Sequence, residues 1–203
     1  MPEPKIDRRV RRTREAIYRA LLSLMLEKGY EAVTVSDIID RADVGRSTFY
    51  AHFTDKQQVL YDSLDDLASV LRTYRNTHSP RLFGFSRPMF EHVHEQRHLL
   101  RSLLGRRGGA VVQARFAHVL TELVREELTA LTGSRPTAAP TELVVTGIVG
   151  AYMALMWRMD ENESHTPEQL DTAFRRLITP GIIAALNLPI DQLANRRSEE
   201  EIP

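Results

Sequence analysis

The sequence predicts an all-α fold. Apolar residues recur at spacings of three and four along most of the chain, alternating β-branched runs are scarce, and capping residues precede several of the apolar runs. The 203 residues, 42% of them hydrophobic, suffice to bury one large core or two small ones. The chain has no cysteine, which excludes disulfides, thiolate metal sites and cysteine nucleophiles. No stretch approaches the roughly 18 apolar residues of a membrane span, and the basic start lacks the apolar run of a secretory signal. A cytoplasmic protein with no membrane partner is therefore expected.

Val10, Ile17, Leu21 and Leu24 share one face of a first helix. It ends at Lys28-Gly29, where a cation and a glycine suit a helix C-terminus. Thr34 caps a second helix holding Val35, Ile38 and Ile39, with Asp37 completing a capping box of the shorter acid. That helix ends near Ala42, and after the turn Asp43-Val44-Gly45 a third runs about to Phe53. Thr54-Asp55 caps a long fourth helix with Val59, Leu60, Leu64, Leu67 and Leu71. Pro80, Gly84 and Pro88 interrupt the pattern, which resumes through Phe90, Val93, Leu99 and Leu103 until Gly105 to Gly109. A helix from about Val111 to Leu131 carries Phe116, Leu120, Leu123, Val124 and Leu128, and a polar loop follows from Gly133 to Pro140. Between Leu143 and Trp157 apolar residues occur on every side, as in a helix covered both by its own core and by something else. Thr166-Pro167-Glu168-Gln169 opens a last helix with a cap, a proline at the first helical position and a capping-box glutamine. Pro180-Gly181 is expected to kink or interrupt it before Ile182, Ile183 and Leu186.

Two short helices joined by a three-residue turn, the second polar on one side, make a helix-turn-helix. In the run Arg46 to Phe53, Phe49 and Phe53 lie four apart and pack inward beside Val44. Arg46, Ser47, Thr48, Tyr50 and His52 are left as a polar surface, with small hydroxyls and an arginine for base edges and longer side chains for phosphates. Gly45 leaves backbone N–H groups open to a phosphate. Net charge is zero, yet Lys5, Arg8, Arg9, Arg11, Arg12 and Arg14 crowd the first fourteen residues against only Glu3 and Asp7. Such asymmetry suits a polyanion-binding end, or alternatively a solvated basic tail.

The run from Thr34 to Lys56, TVSDIIDRADVGRSTFYAHFTDK, resembles the DNA-binding segment of the TetR family of one-component repressors, and the resemblance extends over about Arg12 to Leu60. It implies a homodimer whose recognition helices enter successive major grooves of a palindromic double-stranded DNA operator, and a larger helical domain that binds a small-molecule effector and dimerises. It also makes Arg46, Ser47 and Thr48 base readers and Tyr50, His52 and Lys56 phosphate contacts, with Thr34 and Ser36 as further backbone contacts. The alternative for Thr34 and Thr48 is plain capping or solvent exposure. The family often has serine or threonine where this chain has Gly45, so a capping hydroxyl is missing. The expected division is a DNA-binding domain over residues 1–55, an effector-binding and dimerisation domain over 56–190, and a charged disordered tail over 191–203.

The segments Leu143 to Trp157 and Leu170 to Leu186 are the candidates for the dimer interface. Tyr74, Phe83, Phe85, Phe90, Phe116, Tyr152, Met156 and Trp157 either line an apolar effector cavity or simply pack. His94 and His98 sit four apart, but no acid or cysteine at a diagnostic spacing joins them, so no metal site and no cofactor is expected. No nucleophile elbow, phosphate-binding glycine loop or zinc-peptidase motif is present. The function expected is a homodimeric repressor released by a small, largely apolar effector. The alternatives are a DNA-binding regulator without such an effector, and a small helical enzyme.

Overall fold

The computed structural model describes residues 5–78, 82–97, 109–161 and 165–188; at 5–7, 75–78, 109 and 157–161 only the backbone is described. The chain is all-helical. Its elements are α1 (Lys5–Lys28), a 3₁₀ turn (Tyr30–Ala32), α2 (Val35–Ala42), α3 (Arg46–His52), α4 (Lys56–His78), α5 (Ser86–Glu95), α6 (Gly109–Thr132), α7 (Thr141–Glu161) and α8 (Pro167–Ala185). None of the described helices is long and apolar enough to cross a membrane. The expected tail 191–203, His98, Leu99 and Leu103 lie outside the described residues.

Contacts gather into two compact units, one within Met1–Asp66 and His98–Arg115, the other within Leu67–Arg97 and Phe116–Pro203. The division falls inside two helices, α4 and α6.

In the first unit the apolar stripe of α1, formed by Ile17, Leu21, Leu24 and Met25, is buried against Ile38 of α2, Phe49 of α3 and Val59 and Leu60 of α4. Val10, on the same stripe, is exposed because it lies beyond the turns that reach this core. The α1–α2 junction needs a glycine: Gly29 has φ 80 and ψ 153, a conformation side chains do not tolerate, while its N–H still bonds the Met25 carbonyl at 3.0 Å. Tyr30 and Val33, which follow, are buried.

In the second unit Phe85 packs on Phe83, Phe83 on Phe174 of α8, and Phe90 on Tyr152 of α7, which itself meets Phe174. α7 buries Val145, Ile148, Val149, Tyr152 and Met156 but leaves Leu143 67% exposed, so it is covered on one side only. α8 opens with the expected capping box: the Thr166 hydroxyl accepts from the Gln169 N–H and the Gln169 side chain from the Thr166 N–H. The helix continues through Pro180, so of the kink or interruption expected there the interruption does not occur. Pro180 and Arg176, the residue whose carbonyl loses its helical partner, are both exposed to solvent, so the lost bond is not a buried one.

Candidate nucleic-acid interface

α2 starts where its sequence says it should. The Thr34 hydroxyl accepts from the Asp37 N–H at 3.2 Å and donates to Asp37 Oδ2 at 2.6 Å, and the Thr34 N–H bonds the same oxygen at 2.7 Å. Lys28 Nζ stands 2.8 Å from that carboxylate. This cation, together with the Thr34 donors, holds the Asp37 carboxyl well below the usual carboxylate range. The Thr34 hydroxyl is thus engaged as a cap, while Ser36 is exposed on the first turn. Farther along, Arg41 reaches back to α1, pairing with both Glu27 oxygens at 2.6 and 2.8 Å and donating to the Ser23 hydroxyl at 2.6 Å.

The turn between α2 and α3 is made by Asp43, at φ 51 and ψ 51, rather than by a glycine. Aspartate is among the few side chains that tolerate this left-handed region. Gly45 then caps α3 with φ −70 and ψ 149, which any residue adopts. A Cβ there would meet only the Thr48 Oγ1 at 3.6 Å and the Ser47 Oγ at 3.9 Å, ordinary contacts.

Phe49 and Phe53 point into the core, and their burial fixes the rotation of α3. Arg46, Ser47, Thr48 and Tyr50 are consequently exposed together, and His52 is half-buried at the far end. Tyr50 is 50% exposed, its ring set edge-on to Phe49 with centroids 5.4 Å apart. His52 lies 6.4 Å from the Phe53 ring. The outward surface therefore offers a guanidinium, two hydroxyls, a phenol and an imidazole, the groups that donate to base edges and phosphates.

Lys56 does not join that surface. Its ammonium donates to the carbonyls of Tyr30 at 2.9 Å, Glu31 at 3.2 Å and Val33 at 2.8 Å, which engages all three of its N–H groups. It also lies 4.5 Å from the centre of the Tyr30 ring. Burial, with Asp55, Glu31 and Tyr61 adding to it, pushes the Tyr30 phenol up to about 12. In the single chain Lys56 is a strut between α4 and the α1–α2 junction, and the phosphate role that the resemblance gives it is an expectation that substitution of Lys56 tests. Arg14 is a second residue whose position the sequence pattern did not reveal. Its guanidinium covers the Phe53 ring at 4.9 Å and pairs with Asp62 at 3.1 Å, which holds α1 against the end of α3 and the second turn of α4.

In the second unit, Phe83, Phe90, Phe116, Tyr152 and Met156 are all buried. Phe90 stacks on Tyr152 at 4.2 Å, Tyr152 meets Phe174 edge-on at 5.2 Å, and Phe174 meets Phe83 at 5.6 Å. Tyr74 is 38% exposed, and the Trp157 side chain lies outside the described residues. A polar band borders these rings: Tyr152 donates to the Ser86 carbonyl at 3.1 Å, Ser86 bonds Asp171, and Arg175 donates to the Phe83 carbonyl at 2.9 Å. Buried Glu127 accepts from the Phe83 N–H at 2.7 Å, holding Phe83 at φ 56. Burial raises the Tyr152 phenol well above its ordinary range and lowers the His92 imidazole. Among the described residues no three His, Asp or Glu side chains gather as a metal site.

A helix-turn-helix with an outward polar second helix, set in an all-helical chain, defines a class of DNA-binding regulators. Residues 17–61 match the model of the bacterial regulatory proteins of the tetR family, so the helix-turn-helix segment is of the tetR type. The HTH-type transcriptional regulator YxbF of Bacillus subtilis is 46% identical over 59 residues, 29% of this chain and 16% of that protein. The chain spans well under half the length of the curated relatives it matches, at most 42%. Among solved structures, a TetR transcriptional regulator from Streptococcus agalactiae shares the fold with a TM-score of 0.61 and 24% identity, over 85% of this chain and 96% of that one. Thermus thermophilus FadR, a TetR-family repressor solved in complex with lauroyl-CoA, aligns with a TM-score of 0.54 and 22% identity over 83% of this chain and 94% of its own. At these identities the likeness is one of fold.

Proposed function

We propose that this chain is a transcriptional regulator that binds a palindromic double-stranded operator as a homodimer and leaves it when a small, largely apolar effector binds. The carrying observation is the outward set Arg46, Ser47, Thr48 and Tyr50 on a helix whose inward side is locked by Phe49 and Phe53. Arg46, Ser47 and Thr48 read base edges in the major groove; Tyr50 and His52, with Ser36 and Thr34 at the start of α2, lie toward the phosphates. A recognition helix must be rigidly presented to discriminate bases, and two buried aromatics four residues apart provide that.

Dimerisation runs through α7 and α8. Leu143 and Leu177 are 67% and 66% exposed, and Gly147, Gly150, Ala154, Ala173, Gly181 and Ala184 are exposed beside them. Small residues flanked by leucines on two neighbouring helices suit close packing against the same pair in a second copy. Operator symmetry requires such a partner.

The effector reading draws on the aromatic cluster of the second unit and on the lauroyl-CoA bound by Thermus thermophilus FadR. Coupling requires that the effector bind one arrangement of the dimer better than the other. The tight stack of Phe90 on Tyr152 favours the second reading, a regulator that answers no small molecule, because rings that fill one another's space leave less for a ligand. Selection of duplexes from a random pool tests the DNA reading. Enriched sequences with two inverted half-sites about 34 Å apart, or a multiple of that, support it. No enrichment over the starting pool refutes it. Release of the selected duplex by acyl or aromatic compounds then separates the two modes of control.

A further inference from the structure

We propose that Leu82 and Phe83 occupy a ligand site of their own chain, and that the ligand this site takes in their place is an N-acylated aromatic amino acid derivative. The inference rests on the reading of the protein as an effector-controlled regulator and names the class of effector.

Leu82, Phe83, Gly84 and Phe85 are buried although they belong to no helix. The backbone groups of such a segment are shut off from water, so other groups of the protein must satisfy them. Here the partners are a carboxyl and a guanidinium. Glu127 Oε1 accepts from the Phe83 N–H at 2.7 Å. Arg175 donates to the Leu82 carbonyl at 2.5 Å through Nη1 and to the Phe83 carbonyl at 2.9 Å through Nη2. The Leu82 carbonyl and the Phe83 N–H belong to one amide, which is thus held at both ends. The Phe83 ring meets Phe85 and Phe174, with centroids 6.0 and 5.6 Å away. The site therefore recognises an acyl group, its amide, an aromatic side chain on the carbon after the nitrogen, and a second carbonyl. Those groups in that order are an N-acyl phenylalanine.

The segment holds this place under strain. Phe83 sits at φ 56, in the left-handed region that is unfavourable for a bulky side chain. A free molecule carrying the same groups need not adopt that torsion. The neighbouring contacts can stay while Leu82 and Phe83 leave. Ser86, the first residue of α5, is held separately by Asp171 and by the Tyr152 hydroxyl. Arg175 keeps Asp171 through Nε at 3.0 and 2.9 Å, so its guanidinium stays aimed at the vacated place. A purely apolar ligand there would leave the Glu127 oxygen and both Nη groups without the partners they now hold, which penalises it against a ligand that brings an amide.

The test is calorimetric titration of the full chain with isocaproyl-phenylalaninamide, whose groups reproduce those of Leu82 and Phe83, and with its ester analogue, in which oxygen replaces the amide nitrogen. The amide is expected to bind saturably and the ester about tenfold or more weakly, since it offers Glu127 no N–H. Phe83→Gly, which suits the backbone at φ 56 and removes the competing ring, should bind the amide about tenfold more tightly. No saturable binding to the wild type overturns the site, as does equal binding of amide and ester. A folded Phe83→Gly that binds no more tightly than the wild type overturns the exchange with the segment. Should that variant fail to fold, amide against ester on the wild type decides alone. Release of a selected duplex by other compounds, with no binding of the amide, overturns the ligand class and leaves effector control standing. Amide-selective binding that never releases the duplex keeps the site and overturns effector control through it.

Discussion

The ammonium of Lys56 lies 4.5 Å from the centre of the Tyr30 ring and donates to the Tyr30 carbonyl at 2.9 Å. With the Glu31 and Val33 carbonyls completing its coordination, the first residue of α4 is fastened to the segment that delivers Thr34 to the start of α2. A lysine that reads as a phosphate contact in a linear motif is thereby part of the frame that orients the helix-turn-helix.

Lys56→Met should consequently destabilise the protein by about 2 kcal/mol, within the usual range for hydrogen bonds to a charged group. The salt slope of DNA binding should stay as in the wild type. Thermal unfolding and salt-dependent binding check the two halves. Unaltered stability with a slope lowered by about 0.9 per lost contact would restore the phosphate role.

Asp37 carries a pH signature. Its carboxyl is held low by Lys28 and Thr34, so its contribution to stability is complete above the unfolded value of about 3.9 and fades as pH falls through the folded one. Melting temperatures of the wild type and Asp37→Asn should differ most near neutrality and converge below about pH 4. A gap that stays constant down to pH 2 would contradict the pairing.

Local signals made the helices and the turn legible in the sequence. Thr34 with Asp37, Thr166 with Gln169, and Phe49 with Phe53 are three or four residues apart, and such spacings carry their meaning without knowledge of the fold. What escaped was long-range or chemically ambiguous. Lys56 meets carbonyls 23 to 26 positions earlier, and Arg14 meets a ring in a different helix, which no periodicity announces. Asp43 adopts the left-handed turn conformation without being a glycine, whereas Gly45 beside it has an ordinary backbone. Pro180 reads as a breaker, but on an exposed helix face its missing hydrogen bond costs less than the flanking burial of Phe174 and Ile182 holds.

Gly29, ahead of α2, and Gly45, at the start of α3, should respond in opposite directions. Gly45→Ser places a capping hydroxyl where the backbone and the space already suit it, and should gain a few tenths of a kcal/mol, the usual order of the difference between these caps. Gly29→Ala forces a side chain into a conformation reserved for glycine and should lose about 1–3 kcal/mol. Chemical denaturation measures both. Equal effects of the two substitutions would refute the backbone assignments.

The outward leucines of α7 and α8 test the proposed dimer. Leu143→Glu with Leu177→Glu should leave helical content unchanged, since both side chains are exposed in the single chain, and should turn a dimer into a monomer in sedimentation velocity. A double variant that sediments as the wild type would place the interface elsewhere.

The central claim is that the outward residues of α3 discriminate bases. It is tested most directly by the ratio of affinities for a selected duplex and a scrambled one, measured for wild type, Arg46→Ala and Thr48→Ala at one fixed salt concentration. Each substitution should cost about 1–3 kcal/mol on the selected duplex and much less on the scrambled one, so that the ratio collapses. A ratio unchanged in both variants would contradict the assignment of α3 as the reading helix.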